Sequence, residues 1–142
     1  MDLEDALSYA RGNDDGVLLT LKRDGRPQAS NVKYVVGADG LVRVSITADR
    51  AKAKNAARDA RVSLHVTSED FWSYVVLEGD AELSAVAAEP QDDAVEELVT
   101  LYRDLLGEHD DWDEYRRAMV ADRRLVLRLR PTHAYGMAIS PR

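Results

Sequence analysis

The sequence predicts an α+β fold, mainly β with helices: an antiparallel, closed or nearly closed barrel with helices at its rim. Three observations carry this prediction. Segments of alternating apolar and polar residues follow one another across short turns, which implies antiparallel pairing. The elements run helix, three strands, short helix, two strands, helix pair, strand, which is not the order of a doubly wound parallel sheet. Neither Gly-x-Gly-x-x-Gly nor Gly-x-x-x-x-Gly-Lys occurs, so the phosphate-binding turns of the nucleotide-binding α/β folds are missing.

Each element has its own signal. Leu3, Ala6, Leu7 and Ala10 recur at helical spacing and stop at Gly12, giving a short amphipathic helix. Gly16 to Lys22 reads as a strand, Asp24-Gly25 as a turn, and Gln28 to Val36 as the hairpin partner. After the turn at Gly37 to Gly40 comes the strand Leu41 to Thr47, with Val42, Val44 and Ile46 on one face. Ala51, Ala53, Ala56 and Ala57 then form a short helix with Asp49 as its expected N-cap. Val62, Leu64 and Val66 alternate with polar residues, and Trp72 to Leu83 reads as a long strand bent or bulged at Gly79. Pro90 suits the first turn of a helix with the stripe Val95, Leu98, Val99, Tyr102, Leu105 and Leu106, which Gly107 ends. A second helix is expected from about Asp111 to Ala121. In the last strand Leu125, Leu127 and Leu129 share a face, and Pro131 is expected to stop the run.

At 142 residues the chain suits one domain over residues 1–142, with an ordinary globular composition of 45% hydrophobic and 32% charged residues. No apolar run approaches bilayer-spanning length and the N-terminus lacks signal-peptide character, so a cytoplasmic location and no membrane span are expected. No cysteine is present, which excludes disulfides and thiolate chemistry; His65, His109 and His133 show no ligand spacing, so no metal is expected. Residues 89–123 carry twelve acids against four arginines, net −8 in a chain of net −7. Such a face repels a polyanion, and nucleic acid is not an expected partner.

Against that acidity, residues 50–61 hold five cations and one acid. They lie where a strand feeds a helix, so Arg50 and Lys52 stand beside unpaired first-turn N–H groups and the positive end of the helix dipole, a ready anion site. Phosphate is the first candidate. Asp92-Asp93 and Asp110-Asp111 read as surface charge, not acid catalysts, and Ser30, Ser45 and Ser63 lack the Gly-x-Ser-x-Gly elbow. Trp72 and Tyr74, on one face of a strand, offer either core or a flat wall for a planar ring. His133 and Tyr135 offer either a pocket wall or a packed tail.

Together, Gly-Val-Leu-Leu-Thr-Leu-Lys-Arg-Asp-Gly-Arg-Pro-Gln (16–28), Arg-Ala-Lys-Ala-Lys-Asn (50–55), Arg-Asp-Ala-Arg-Val-Ser-Leu (58–64) and Trp-Ser-Tyr-Val-Val-Leu-Glu-Gly (72–79) resemble the split-barrel flavin and deazaflavin oxidoreductases, which include pyridoxamine 5'-phosphate-oxidase-like proteins. Residues 107–124 look like the branch that binds the deazaflavin coenzyme F420 in place of FMN. The resemblance implies an FMN-binding type of split barrel, a homodimer with two cofactor sites at its interface, and F420-dependent hydride transfer to a small-molecule substrate. The alternatives are an FMN-dependent oxidase or reductase of the same fold, and a non-catalytic F420-binding module. It also implies that Arg50, Lys52 and Asn55 hold the cofactor phosphate. Gln28, Ser30, Asn31 and Val32, with Ser45, Ile46 and Thr47, would lie along the ring and ribityl chain, Trp72 and Tyr74 would come from the partner subunit, and Arg124 would reach the anionic tail, with Lys54 and Arg58 as further cations. Much of the family has Ser-Pro-Val-Trp where this chain has Ser30-Asn31-Val32-Lys33. A proton for the substrate would come from solvent, Tyr135 or His133.

Overall fold

In the computed structural model, which describes residues 1–137, alternation and helical spacing resolve into eleven elements. They are α1 (Leu3–Arg11), β1 (Asp15–Leu21), β2 (Pro27–Lys33), β3 (Val35–Val36), β4 (Val42–Thr47), α2 (Ala51–Arg58), β5 (Arg61–Thr67), β6 (Tyr74–Leu83), α3 (Asp93–Leu106), α4 (Trp112–Ala121) and β7 (Arg124–Met137). All strands pair antiparallel in one sheet of order β2-β1-β5-β6-β7-β4-β3. β2 and β3 therefore occupy opposite edges, yet a single residue, Tyr34, joins them. One residue spans less than 4 Å of chain, so the sheet must curl until its edges meet there. The result is a barrel with a split between β2 and β4.

This geometry divides the strand expected over Gln28 to Val36. Tyr34 breaks it because its side chain is 1% exposed and its hydroxyl donates to the Ala10 carbonyl at 2.7 Å, while its N–H bonds the Asp14 carbonyl. The barrel interior is filled by the inward residues of every strand, among them Leu18, Val44, Ile46, Leu64, Val66, Leu77 and Leu127, and by Ala6, Leu7 and Ala10 of α1. A second cluster lies on the other side of β7, where Val126 meets Val95, Leu98, Val99 and Met119 of the helix pair. Alternation along one strand thus serves two cores.

Other boundaries also differ from expectation. β7 runs through Pro131 because Pro131 faces Gly79 at a register shift, where a ladder donor is not needed. A Cβ on Gly79 would lie 2.0 Å from the Arg130 carbonyl oxygen, so this bulge requires glycine. β6 begins at Tyr74, and Trp72 belongs to the preceding turn. There Ser68 and Asp70 take up the local N–H groups, and Phe71 adopts φ 70°. Pro90 precedes α3, which starts later because the Asp92 carboxylate accepts from the N–H groups of Ala88, Glu89 and Val95. Asp111 caps α4 in the same way. One acid of each predicted surface pair is therefore a helix cap.

Candidate functional site: a cationic pocket in the split

The split holds a cavity of about 450 Å³, walled by Asn31, Val32 and Lys33 of β2, Ser45, Ile46 and Thr47 of β4, Arg50 and Lys52, Leu105 of α3 and Arg124 of β7. Eight of the thirteen residues expected from the sequence line this one pocket. They meet because β2 and β4 are brought together by barrel closure, while Thr47 pairs with Arg124 across the β4–β7 ladder.

Local structure at α2 explains the charge. The Arg50 N–H bonds the Thr47 carbonyl at 3.0 Å, closing a turn that leaves Asp49 one residue outside the helix. Arg50, not Asp49, is the N-cap, and no side chain caps α2. α1, α3 and α4 each carry an aspartate cap and acids in the first turn; α2 has neither. Within its first turn the Ala53 N–H bonds the Arg50 carbonyl at 3.2 Å, while no side chain caps the amides of Ala51 and Lys52.

No acid lines the pocket, and Arg50, Lys52 and Arg124 form no ion pair among the described residues. Burial depresses the Lys52 ammonium below its ordinary pKa, and the Arg50 and Arg124 charges depress it further. The Arg124 Nε is buried and has no hydrogen-bond partner among the described residues. Above it, burial pushes the Tyr115 hydroxyl up to about 12 against the pull of Arg124; that hydroxyl donates to the Leu98 carbonyl at 3.0 Å. A buried guanidinium donor without an acceptor is costly, and a phosphate oxygen in the pocket would satisfy it. The donor set fits a phosphate-bearing ligand.

The other five expected residues lie elsewhere. Asn55 is 7% exposed; its Nδ2 donates to Thr20 Oγ1 at 3.2 Å and its Oδ1 accepts from Arg58. The Thr20 hydroxyl donates to Gln28 Oε1, and Gln28 Nε2 to Ser30 Oγ at 2.9 Å. Asn55, Gln28 and Ser30 are thus consecutive members of one relay, through Thr20, that ties α2 to β2 and so braces the pocket walls. Trp72 is 72% exposed in its turn, and Tyr74 stacks on His65 with ring centroids 5.5 Å apart. Of the further cations, Arg58 is turned to the Leu21 carbonyl and Lys54 stands exposed. His133 and Tyr135 lie exposed on β7, away from the pocket lining. Two lining residues carried no expectation of contact: Lys33, whose identity stood out as a departure, and Leu105, whose helical stripe gave no hint that it faces β2.

The chain matches the family described as pyridoxamine 5'-phosphate oxidase over residues 9–138, and it belongs to that family. Solved structures similar to it show the same fold. A conserved hypothetical protein of Mycobacterium tuberculosis is 23% identical, with a TM-score of 0.75 over 96% of this chain and 84% of that one. An F420 reductase is also 23% identical, with a TM-score of 0.65 over 86% and 89%. HutZ, the heme storage protein of Vibrio cholerae, is 17% identical, with a TM-score of 0.69 over 96% of each chain. No helix among the described residues is long and apolar enough to cross a membrane.

Proposed function

We propose that this protein is an F420-dependent oxidoreductase that acts on a small molecule as a homodimer. The observation that carries this reading is the convergence of Arg50, Lys52 and Arg124 on one acid-free pocket, with a buried guanidinium donor that has no acceptor among the described residues. Arg50 and Lys52 would hold the cofactor phosphate together with the uncapped amides of Ala51 and Lys52 at the start of α2, and Arg124 would neutralise it from the β7 side. Val32 and Ile46 supply apolar edge, and Asn31, Ser45 and Thr47 supply hydrogen-bonding groups for the ribityl chain and ring. When bound, the deazaflavin supplies hydride chemistry. The lining contains no His, Asp or Glu, so this chain's own part there is to bind, orient and exclude water.

Similarity to an F420 reductase supports the deazaflavin over FMN, and so does Arg124, a third cation for an anion longer than FMN. Titrating the purified apo-protein with F420 and with FMN tests it. F420 should bind more tightly at low salt, and the gap should narrow as salt rises, because exposed tail contacts are screened over about 8 to 10 Å. Lys52→Ala or Arg124→Ala should weaken F420 binding about tenfold to a hundredfold, roughly 1 to 3 kcal/mol. FMN co-purifying at full occupancy and resisting displacement by excess F420 would overturn the assignment.

A further inference from the structure

A second cavity, of about 790 Å³, lies on the other side of β2 and shares Asn31, Val32 and Lys33 with the cationic pocket. Its volume is that of a small-molecule site. Gly16 and Val17 of β1 and His65 and Thr67 of β5 form its strand walls. Its charge is opposite to that of its neighbour. Asp14, Asp15 and Glu69 line it, and among the described residues its one cation is the shared Lys33. The Lys33 ammonium contacts Asp15 and lies 3.9 Å from Asp14 Oδ1, so it is drawn to the acidic side. The Asp14 backbone is held in place: the Tyr34 N–H bonds the Asp14 carbonyl, and Tyr34 is itself anchored to α1.

We infer that this second cavity is the substrate pocket and that it selects uncharged or cationic small molecules over carboxylates and phosphates, with Lys33 and its two aspartates marking the boundary. The inference rests on the reading of the cationic pocket as the cofactor site. Two contiguous cavities of opposite sign sort ligands by charge: the phosphate-bearing group is held on one side and repelled from the other, and the reacting molecule has a place beside it that the cofactor's anion does not enter. His65 is a wall residue of this cavity whose ring stacks on Tyr74 and whose side chain makes no hydrogen bond among the described residues, so its ring nitrogens can meet a polar group of the guest.

The test uses three probes of one shape and different charge, 1-naphthylmethylamine, 1-naphthalenemethanol and 1-naphthoate, titrated into the full-length protein while backbone amide resonances are followed. The amine and the alcohol should shift Gly16, His65 and Thr67, and the amine should bind about three- to tenfold more tightly than the carboxylate there, a modest ratio because the acids are exposed and screened. Asp15→Asn with Glu69→Gln, two exposed positions, should erase that preference without loss of fold. Equal affinities for the three probes, a preference that survives the double substitution, or no shift at those amides would overturn the inference. A separate titration with inorganic phosphate reads Arg50 and Lys52. If phosphate leaves them unmoved while the amine still shifts Gly16 and Thr67, the cofactor reading falls and the second cavity stands as a site for cationic molecules.

Discussion

Lys52 and Asn55 sit three residues apart on α2 and do different work. Lys52 reaches the pocket half-buried between two other cations, and its ammonium is held below its ordinary pKa. A bound phosphate would raise that pKa again, so the anion binds the protonated form more tightly. Above the range in which phosphate itself ionises, its affinity should therefore fall as the pH rises through the free protein's depressed Lys52 value, below 10.5. Isothermal titration across alkaline pH would show it, and Lys52→Met should remove the slope. Asn55 points into the protein, where it bonds Thr20, itself 0% exposed. Asn55→Ala should lower unfolding stability by about 1 to 3 kcal/mol, since it removes the donor to the buried Thr20 oxygen and the acceptor of Arg58, yet leave the ligand contacts of the Arg50 and Lys52 side chains in place. Chemical denaturation beside F420 titration separates the two: a large loss of affinity with unchanged stability would return Asn55 to the phosphate site.

Among the elements, α3 is fastened to the barrel by one acid. Glu97 accepts from Arg128 Nη2 at 2.5 Å and Nε at 2.7 Å, and from Arg43 Nε at 3.0 Å, so a single carboxylate joins α3 to the adjacent strands β4 and β7. Burial raises its pKa, but the two guanidinium partners outweigh burial and the net shift is downward. A carboxylate depressed in the folded state contributes fully above its unfolded value near 4.5 and loses that contribution as pH falls through the lower folded value. Glu97→Gln should cost about 1 to 3 kcal/mol at neutral pH, with the difference from wild type closing in acid. Thermal melts from neutral to acidic pH check this; a difference that stays constant with pH would show that charge plays no part. Because α3 also carries Leu105 to the pocket, the variant should loosen ligand binding as well.

For the whole molecule, an aromatic surface is left open. Phe71 and Trp72 are 79% and 72% exposed at the β5–β6 turn, and Tyr135 and Met137 are 44% and 56% exposed on β7. Large exposed apolar side chains on a turn and on β7, whose Met137 pairs with Tyr74 just after that turn, mark an interaction surface. The proposed homodimer would cover it and bring Trp72 of one subunit toward the split of the other. Sedimentation should give a dimer, and Trp72→Glu should weaken both association and F420 binding. A stable monomer with intact F420 binding would remove the shared-site arrangement.

Composition, alternation and the strand–helix junction at Thr47 to Ala51 were enough to determine an antiparallel α+β barrel, the cationic character of the segment around Arg50 and Lys52, and the structural nature of the acidic pairs. Those readings rest on local periodicity and on charge, which the chain displays directly. The family resemblance added the β2 and β4 residues that wall the pocket. Tertiary structure decided the rest. A strand that looks continuous from Gln28 to Val36 is cut at Tyr34 because its two halves belong to opposite edges of a closing sheet. Pro131 sits inside a strand because a bulge at Gly79 needs no donor opposite it. Asn55 shares the motif of Arg50 and Lys52 but turns inward: position on a helix face is set by a 3.6-residue period, while what that face meets is set by packing. Leu105 came to the pocket across a long sequence separation, and local pattern carries no record of which distant residues a closed barrel brings together.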